Sequence, residues 1–295
     1  MNGSRPARSH LHPGVGLVIG VVAVSTASTM IRLVQSEADS LAVAAWRMAL
    51  AALILAPFAL TARRAELRSI TRREWGLALG AGSLLAIHFA AWITSLALTS
   101  VAASVVLVTL YPLFVGLASH LFMQERLSGA MVAGLLIATA GSVVIALGDV
   151  GKGTHRLLGD LLALAGALAA AGYFLIGRRL RARLSLLGYV FPVYSMAAAL
   201  LLITAALARV PLTGYSPGGW LLLLALALVP QIVGHSSLNW ALRHLSATYV
   251  TLVVLGEPVG STLLAWLVLH EVPGVTALIG GGLALIGIMV ASRVR

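Results

Sequence analysis

Long apolar runs joined by short polar stretches fill the chain. Ten of them approach membrane-spanning length, near residues 14–34, 40–61, 75–98, 101–122, 129–148, 159–178, 187–207, 219–243, 247–269 and 273–292. Their length predicts membrane-spanning helices. Arg5 and Arg8 precede the first run as they would in a signal peptide. That run is long enough to span, however, and it matches a later one, so it is read as a retained helix.

The runs repeat. Adding 146 to Gly20, Arg32, Ser100, Pro112, Glu125, Gly134 and Gly141 lands on Gly166, Arg178, Ser246, Pro258, Glu271, Gly280 and Gly287. The offset slips slightly between these points, so that His88 faces His235 at 147. The pattern predicts two five-helix halves, residues 14–148 and 159–292, flanked by tails 1–13 and 293–295 and joined by a periplasmic linker, 149–158. Five is odd, so the second half must enter the membrane from the opposite side, as an inverted repeat.

Composition supports this class and charge sets its orientation. With 60% hydrophobic and 10% charged residues, the chain has too little polar surface for a soluble globule. The net charge of +11 does not indicate nucleic acid, because the basic residues sit in the joints between apolar runs. Fifteen of them fall on the side of the N-terminus, including Arg63, Arg64, Arg68, Arg72 and Arg73, Arg126, and the group from Arg178 to Arg183. The other side's loops hold Lys152, Arg156 and Arg209, with the acids Glu37, Asp39, Asp149 and Glu271. Both termini are therefore expected in the cytoplasm. The absence of cysteine excludes disulfides and thiolate metal sites.

Polar residues inside the runs are the candidates for chemistry. Glu257 stands ten residues into its run, about 15 Å deep by helical rise, where a carboxylate is costly and usually faces a wet interior. The adjoining Pro258 cannot donate to the Val254 carbonyl, so a break with a free acceptor is expected beside the acid. The other half has Tyr111-Pro112 at this point, a hydroxyl and an aromatic ring in place of the charge. Gln231, His235 and Asn239 follow at spacings of four and form one polar stripe; His88, Trp92, Ser95 and Thr99 form another. Either stripe lines a cavity or hydrogen-bonds helix to helix. Arg47, seven residues into the second run, is expected to snorkel to the outer surface, with inward pairing to an acid or an anionic substrate as the alternative. Arg32 reads as an interfacial anchor. Gly134 and Gly141, with Gly280 and Gly287, leave smooth strips for close helix contact within or between protomers.

Missing motifs narrow the class further. The chain has no Walker A loop, no His-Glu-x-x-His and no Gly-x-Ser-x-Gly. His120 and His270 stand at run ends without a ligand cluster, and no metal or cofactor is expected.

Several stretches resemble the drug/metabolite transporter superfamily, and its EamA-type members in particular. In the first half these are His88-Phe89-Ala90-Ala91-Trp92, Thr99 to Ser104, Pro112 and Glu125-Arg126-Leu127. In the second they are Gly234-His235, Asn239-Trp240-Ala241-Leu242, Leu245-Ser246-Ala247, Glu257-Pro258-Val259, Leu264-Ala265-Trp266 and Gly280-Gly281. The resemblance spans Gly14 to Val290. It implies an all-α integral membrane protein of ten transmembrane helices in two inverted five-helix repeats. It also implies a central cavity with His88, Trp92, His235, Asn239 and Glu257 as candidate lining, and export of amino acids or other small metabolites.

The combined reading is a multi-pass transporter of the bacterial inner membrane, exporting small metabolites by alternating access. Segments one, three, four, six, eight and nine surround its cavity. Its substrate contacts are His88, Trp92, Tyr111, Gln231, His235, Asn239 and Glu257, and its hinges are Pro112 and Pro258. Glu257, His88 and His235 are the groups that would couple export to protons. The partners are a small molecule and the lipid bilayer, with monomer or homodimer left open. A membrane-embedded enzyme modifying lipids through His88, His235 and Glu257 is the alternative, and a non-transporting scaffold a third.

Overall fold

The computed structural model describes residues 12–122, 127–147, 155–269 and 274–292. Arg5, Arg8, Glu125, Arg126, Asp149, Lys152, His270, Glu271, Arg293 and Arg295 lie outside the described residues. Among the described residues there are no strands. The helices are α1 (Pro13–Ser25), α2 (Ala27–Val34), α3 (Ser40–Ala62), α4 (Arg64–Arg68), α5 (Arg72–Leu98), α6 (Val101–Val108), α7 (Tyr111–Phe122) and α8 (Gly129–Leu147). They continue as α9 (Arg156–Arg181), α10 (Leu186–Leu207), α11 (Pro217–Leu226), a π-helical stretch (Ala227–His235), α12 (Ser236–Ala241) and α13 (Ala247–Val253). A 3-10 turn (Val254–Gly256), α14 (Glu257–Leu269) and α15 (Val275–Ser292) complete the chain. Among the described residues nine helices are long and apolar enough to cross a bilayer, against ten expected, and Gly129–Ile145 is a shorter apolar stretch.

Helix starts follow capping chemistry. Ser100 caps α6 through the Ala103 N–H at 3.1 Å, and Ser246, 146 positions later, caps α13 through the Tyr249 N–H at 3.2 Å. Asp39 and Ser185, also 146 apart, cap α3 and α10. Thr71 and Glu74 form a reciprocal capping box at the start of α5.

Four spans are interrupted. The first bends at Thr26, where Ser25 and Thr26 turn their hydroxyls back onto the Val21 and Ala23 carbonyls at 2.8 and 2.7 Å. The fourth breaks between Val108 and Tyr111, just before Pro112, and the ninth at Val254–Gly256, just before Pro258. The Val254 carbonyl does not stay free as expected. The backbone N–H of Glu257 donates to it in the 3-10 turn and replaces the donor that Pro258 lacks. In the eighth span Pro230 removes another donor, and the chain widens into the π-helical turns.

Packing is close where side chains are small. Helix α8 lies along α15, α5 along α9, α3 along α10, and α1 along the π-helical stretch and α12. A Cβ on Gly16 would stand 2.7 Å from the Trp240 ring, one on Gly20 2.9 Å from Leu238, and one on Gly234 2.7 Å from Val24. Only a side chain of hydrogen lets α1 approach this closely. Large apolar side chains such as Phe122, Leu207, Leu157 and Val275 point outward, as lipid solvation requires.

Candidate functional site

The interrupted spans surround one cavity. Its walls are Val24 and Ala27 from the first span, Arg47 from α3, His88 and Trp92 from α5, and Val108 and Tyr111 from the fourth span. Ala170, Tyr173 and Phe174 from α9, His235 and Leu238 from the eighth span, and Val254 and Glu257 from the ninth close it. Segments one, three, four, six, eight and nine all contribute, joined by the second through Arg47.

Arg47 corrects the expectation of a snorkelling side chain. It is completely buried, and its guanidinium carbon lies over the Phe89 ring, 4.1 Å from the centroid. Its Nε–H donates to Gln231 Oε1 at 3.0 Å, while both terminal nitrogens are buried without a hydrogen-bond partner. Along the chain, one arginine near a helix end fits either direction; Phe89 and Gln231, from other helices, decide it.

Five of the seven residues proposed for the site reach the cavity. His88 is fixed by Nδ1 against the Gly166 carbonyl at 3.0 Å, and because that carbonyl can only accept, the ring must carry a proton on Nδ1. Its ring stacks on Trp92 at 5.9 Å and lies 6.4 Å from His235. Tyr111 stacks on Phe174 at 5.3 Å. Trp92 Nε1 and His235 Nδ1 are buried without partners. Glu257 stands at the head of α14, and its charge is felt by Arg47 and Tyr111.

Gln231 and Asn239 stand behind the wall instead of in it. Gln231 holds Arg47, and Asn239 donates through Nδ2 to the Tyr173 hydroxyl and, at 2.7 Å, to the His235 carbonyl. The lower part of the other stripe also serves packing. Ser95 meets the Ser104 hydroxyl, and Thr99 donates to Asp160 at 2.9 Å. Trp240 lies against Gly16, and Arg32 holds the Leu96 carbonyl. The residues that the sequence reading missed are Phe174 as a wall and Phe89 as the bed for Arg47. Each is an aromatic in an apolar run, a pattern that buried core shares.

A helical membrane fold around a polar, aromatic-lined cavity fed by broken helices defines a multi-pass transporter. Comparison with known sequences narrows the class: the EamA-like transporter family matches residues 13–147 and again 157–293, and the chain belongs to that family. Among its relatives is the pseudopaline exporter of Pseudomonas aeruginosa, 27% identical over 95% of this chain and 96% of the relative. The probable terminal-alkyne amino-acid exporter of Streptantibioticus cattleyicolor is 28% identical over 63% of this chain, and the match spans 62% of that relative's length. A protein crystal structure superposes with a TM-score of 0.76 at 25% identity, covering 95% of this chain and 97% of that one. Membership in a transporter family leaves the lipid-enzyme alternative without support.

Proposed function

We propose that the protein exports small metabolites, amino acids or related amphipathic compounds, by alternating access through the central cavity. The observation that carries this reading is the joint wall: Arg47, His88 and Tyr111 from the first half face His235 and Glu257 from the second, with Tyr111, His235 and Glu257 at breaks in their spans. The cavity's own open space is about 20 Å³, room for a water, so a metabolite would enter only as the halves part. That two relatives are exporters supports the direction of transport.

In this reading the halves 14–148 and 159–292 form an inverted repeat of ten spans in the inner membrane, with cytoplasmic termini. The doubled family match and the paired caps at Ser100 and Ser246 support the repeat. Pro112 and Pro258 act as hinges while the halves rock. Glu257, with His88 and His235, is the candidate for proton coupling.

The test is counterflow of a labelled panel of amino acids and other metabolites in proteoliposomes, comparing wild type with His88→Ala and Glu257→Gln. Exchange of one compound class that both folded variants abolish supports the reading; no exchange of any compound by folded wild type removes it. Unchanged exchange by Glu257→Gln between about pH 5.5 and 8 would remove proton coupling through that residue.

A further inference from the structure

We propose that the cavity recognises its cargo as a zwitterion, with a carboxylate held by Arg47 and an ammonium group held by Glu257. This rests on the exporter reading and narrows it to compounds of the amino-acid class with an apolar side group.

Arg47 is built to receive a carboxylate. A guanidinium carries five N–H donors, and Gln231 uses the one on Nε. The two terminal nitrogens are buried and unpartnered, on a residue that lines the cavity. The guanidinium carbon sits over the Phe89 ring, and the terminal N–H groups are what the side chain has left to offer a ligand. In-plane, two-pronged approach is the geometry in which carboxylates bind arginine. A buried cation gains most from such a partner.

Glu257 supplies the opposite pole. No hydrogen bond to its carboxylate is present among the described residues, and its oxygens are not within 4 Å of an Arg47 nitrogen, although each charge lies in the other's field. The pair is close enough to be coupled and too far apart to neutralise by contact. A zwitterion bridges such a gap and leaves the net charge of the site unchanged. An anion would satisfy Arg47 and repel Glu257, and a cation would do the reverse. The other titratable groups around the pair are His88, His235, Tyr111, Tyr173 and Tyr194. Phe174, Tyr111, Trp92 and Val108 leave the rest of the wall apolar.

The experiment is counterflow in proteoliposomes with a labelled mixture of free amino acids, then with L-leucine and L-phenylalanine against their carboxamides and N-acetyl forms. Wild type, Arg47→Gln, Arg47→Lys and Glu257→Gln are compared, with unfolding temperatures as the folding control. Wild type should move a free amino acid at least about tenfold faster than either blocked form, the effect of losing one charge-assisted hydrogen bond. Arg47→Gln should lose the preference over the carboxamide, Glu257→Gln the preference over the N-acetyl form, and Arg47→Lys should keep part of the first. Equal exchange of free and blocked forms by wild type, or preferences intact in both folded charge variants, overturns the inference. Transport of uncharged or singly charged metabolites without any amino acid also overturns it while leaving the exporter reading in place; transport of nothing by folded wild type removes both.

Discussion

A Cβ added to Gly134 would stand 2.5 Å from the Gly287 carbonyl oxygen, and one added to Gly287 would stand 2.5 Å from that of Gly134. Gly141 meets Gly280 in the same mutual way about two turns along the pair α8 and α15. Two backbones pressed together have no flexible atom that can yield. The glycine strips are therefore used within one chain.

Gly134→Ala or Gly287→Ala should destabilise the protein by about 1–3 kcal/mol of overpacking, less up to about 1 kcal/mol regained from helix propensity. Gly80→Ala, where a Cβ meets nothing within 4 Å, should hold or raise stability. Thermal unfolding in detergent checks both. Equal unfolding temperatures for the two classes would count against the close contact.

Gln231→Ala removes the acceptor beneath the Arg47 Nε–H. A buried hydrogen bond to a charged group is worth about 1.5–3 kcal/mol, so both stability and counterflow should fall. Gln231→Glu should restore an acceptor and recover part of the stability. Wild-type counterflow in Gln231→Ala would mean that Arg47 is held well enough by Phe89 alone.

Pro258→Ala returns a donor to a place where the Val254 carbonyl is already served by the Glu257 N–H. A regular helix becomes accessible there, which should hold or raise the unfolding temperature while slowing counterflow several-fold if the break is a hinge. Unchanged exchange rates would assign Pro258 a purely local role.

The absence of cysteine makes the proposed topology directly measurable. Ser36 and Arg68 are both exposed, in joints that the inverted repeat places on opposite sides of the membrane. A membrane-impermeant maleimide should label Ser36→Cys in intact cells and Arg68→Cys after lysis. Labelling of both from one side would contradict the orientation.

Clamps at the joints give a further test. Both carboxylate oxygens of Glu37 accept from Ser216, from its N–H at 2.8 Å and its hydroxyl at 2.9 Å, at the start of α11. Arg183, 146 positions later, holds Glu74 and, at 2.9 Å, the Ser69 carbonyl. Glu37→Ala should lower stability modestly, because it removes the acceptors that hold the capping Ser216 while Ser216 keeps its own bond to the Gly219 N–H. The exposed Arg183–Glu74 pair should contribute little and should weaken with added salt. Urea or thermal unfolding of single and double variants measures both.

The membrane class, the recurrence of Ser100 at Ser246 and of Pro112 at Pro258, and the polar residues His88, Trp92 and Glu257 were legible along the chain. Hydropathy, identity at a fixed offset and a proline's missing donor are one-dimensional properties, and no neighbouring helix is needed to read them. Direction and partnership were not legible. Whether Arg47 turned outward or inward depended on Phe89 and Gln231. Gln231 and Asn239 share the stripe of His235, yet they stand behind the wall because Arg47 and Tyr173 claim their side chains. The Val254 carbonyl found its donor in a 3-10 turn, and the glycine strips found each other across α8 and α15. Burial and hydrogen-bond satisfaction are settled between helices distant in sequence, and tertiary structure alone decides which polar groups remain unpaired for a ligand.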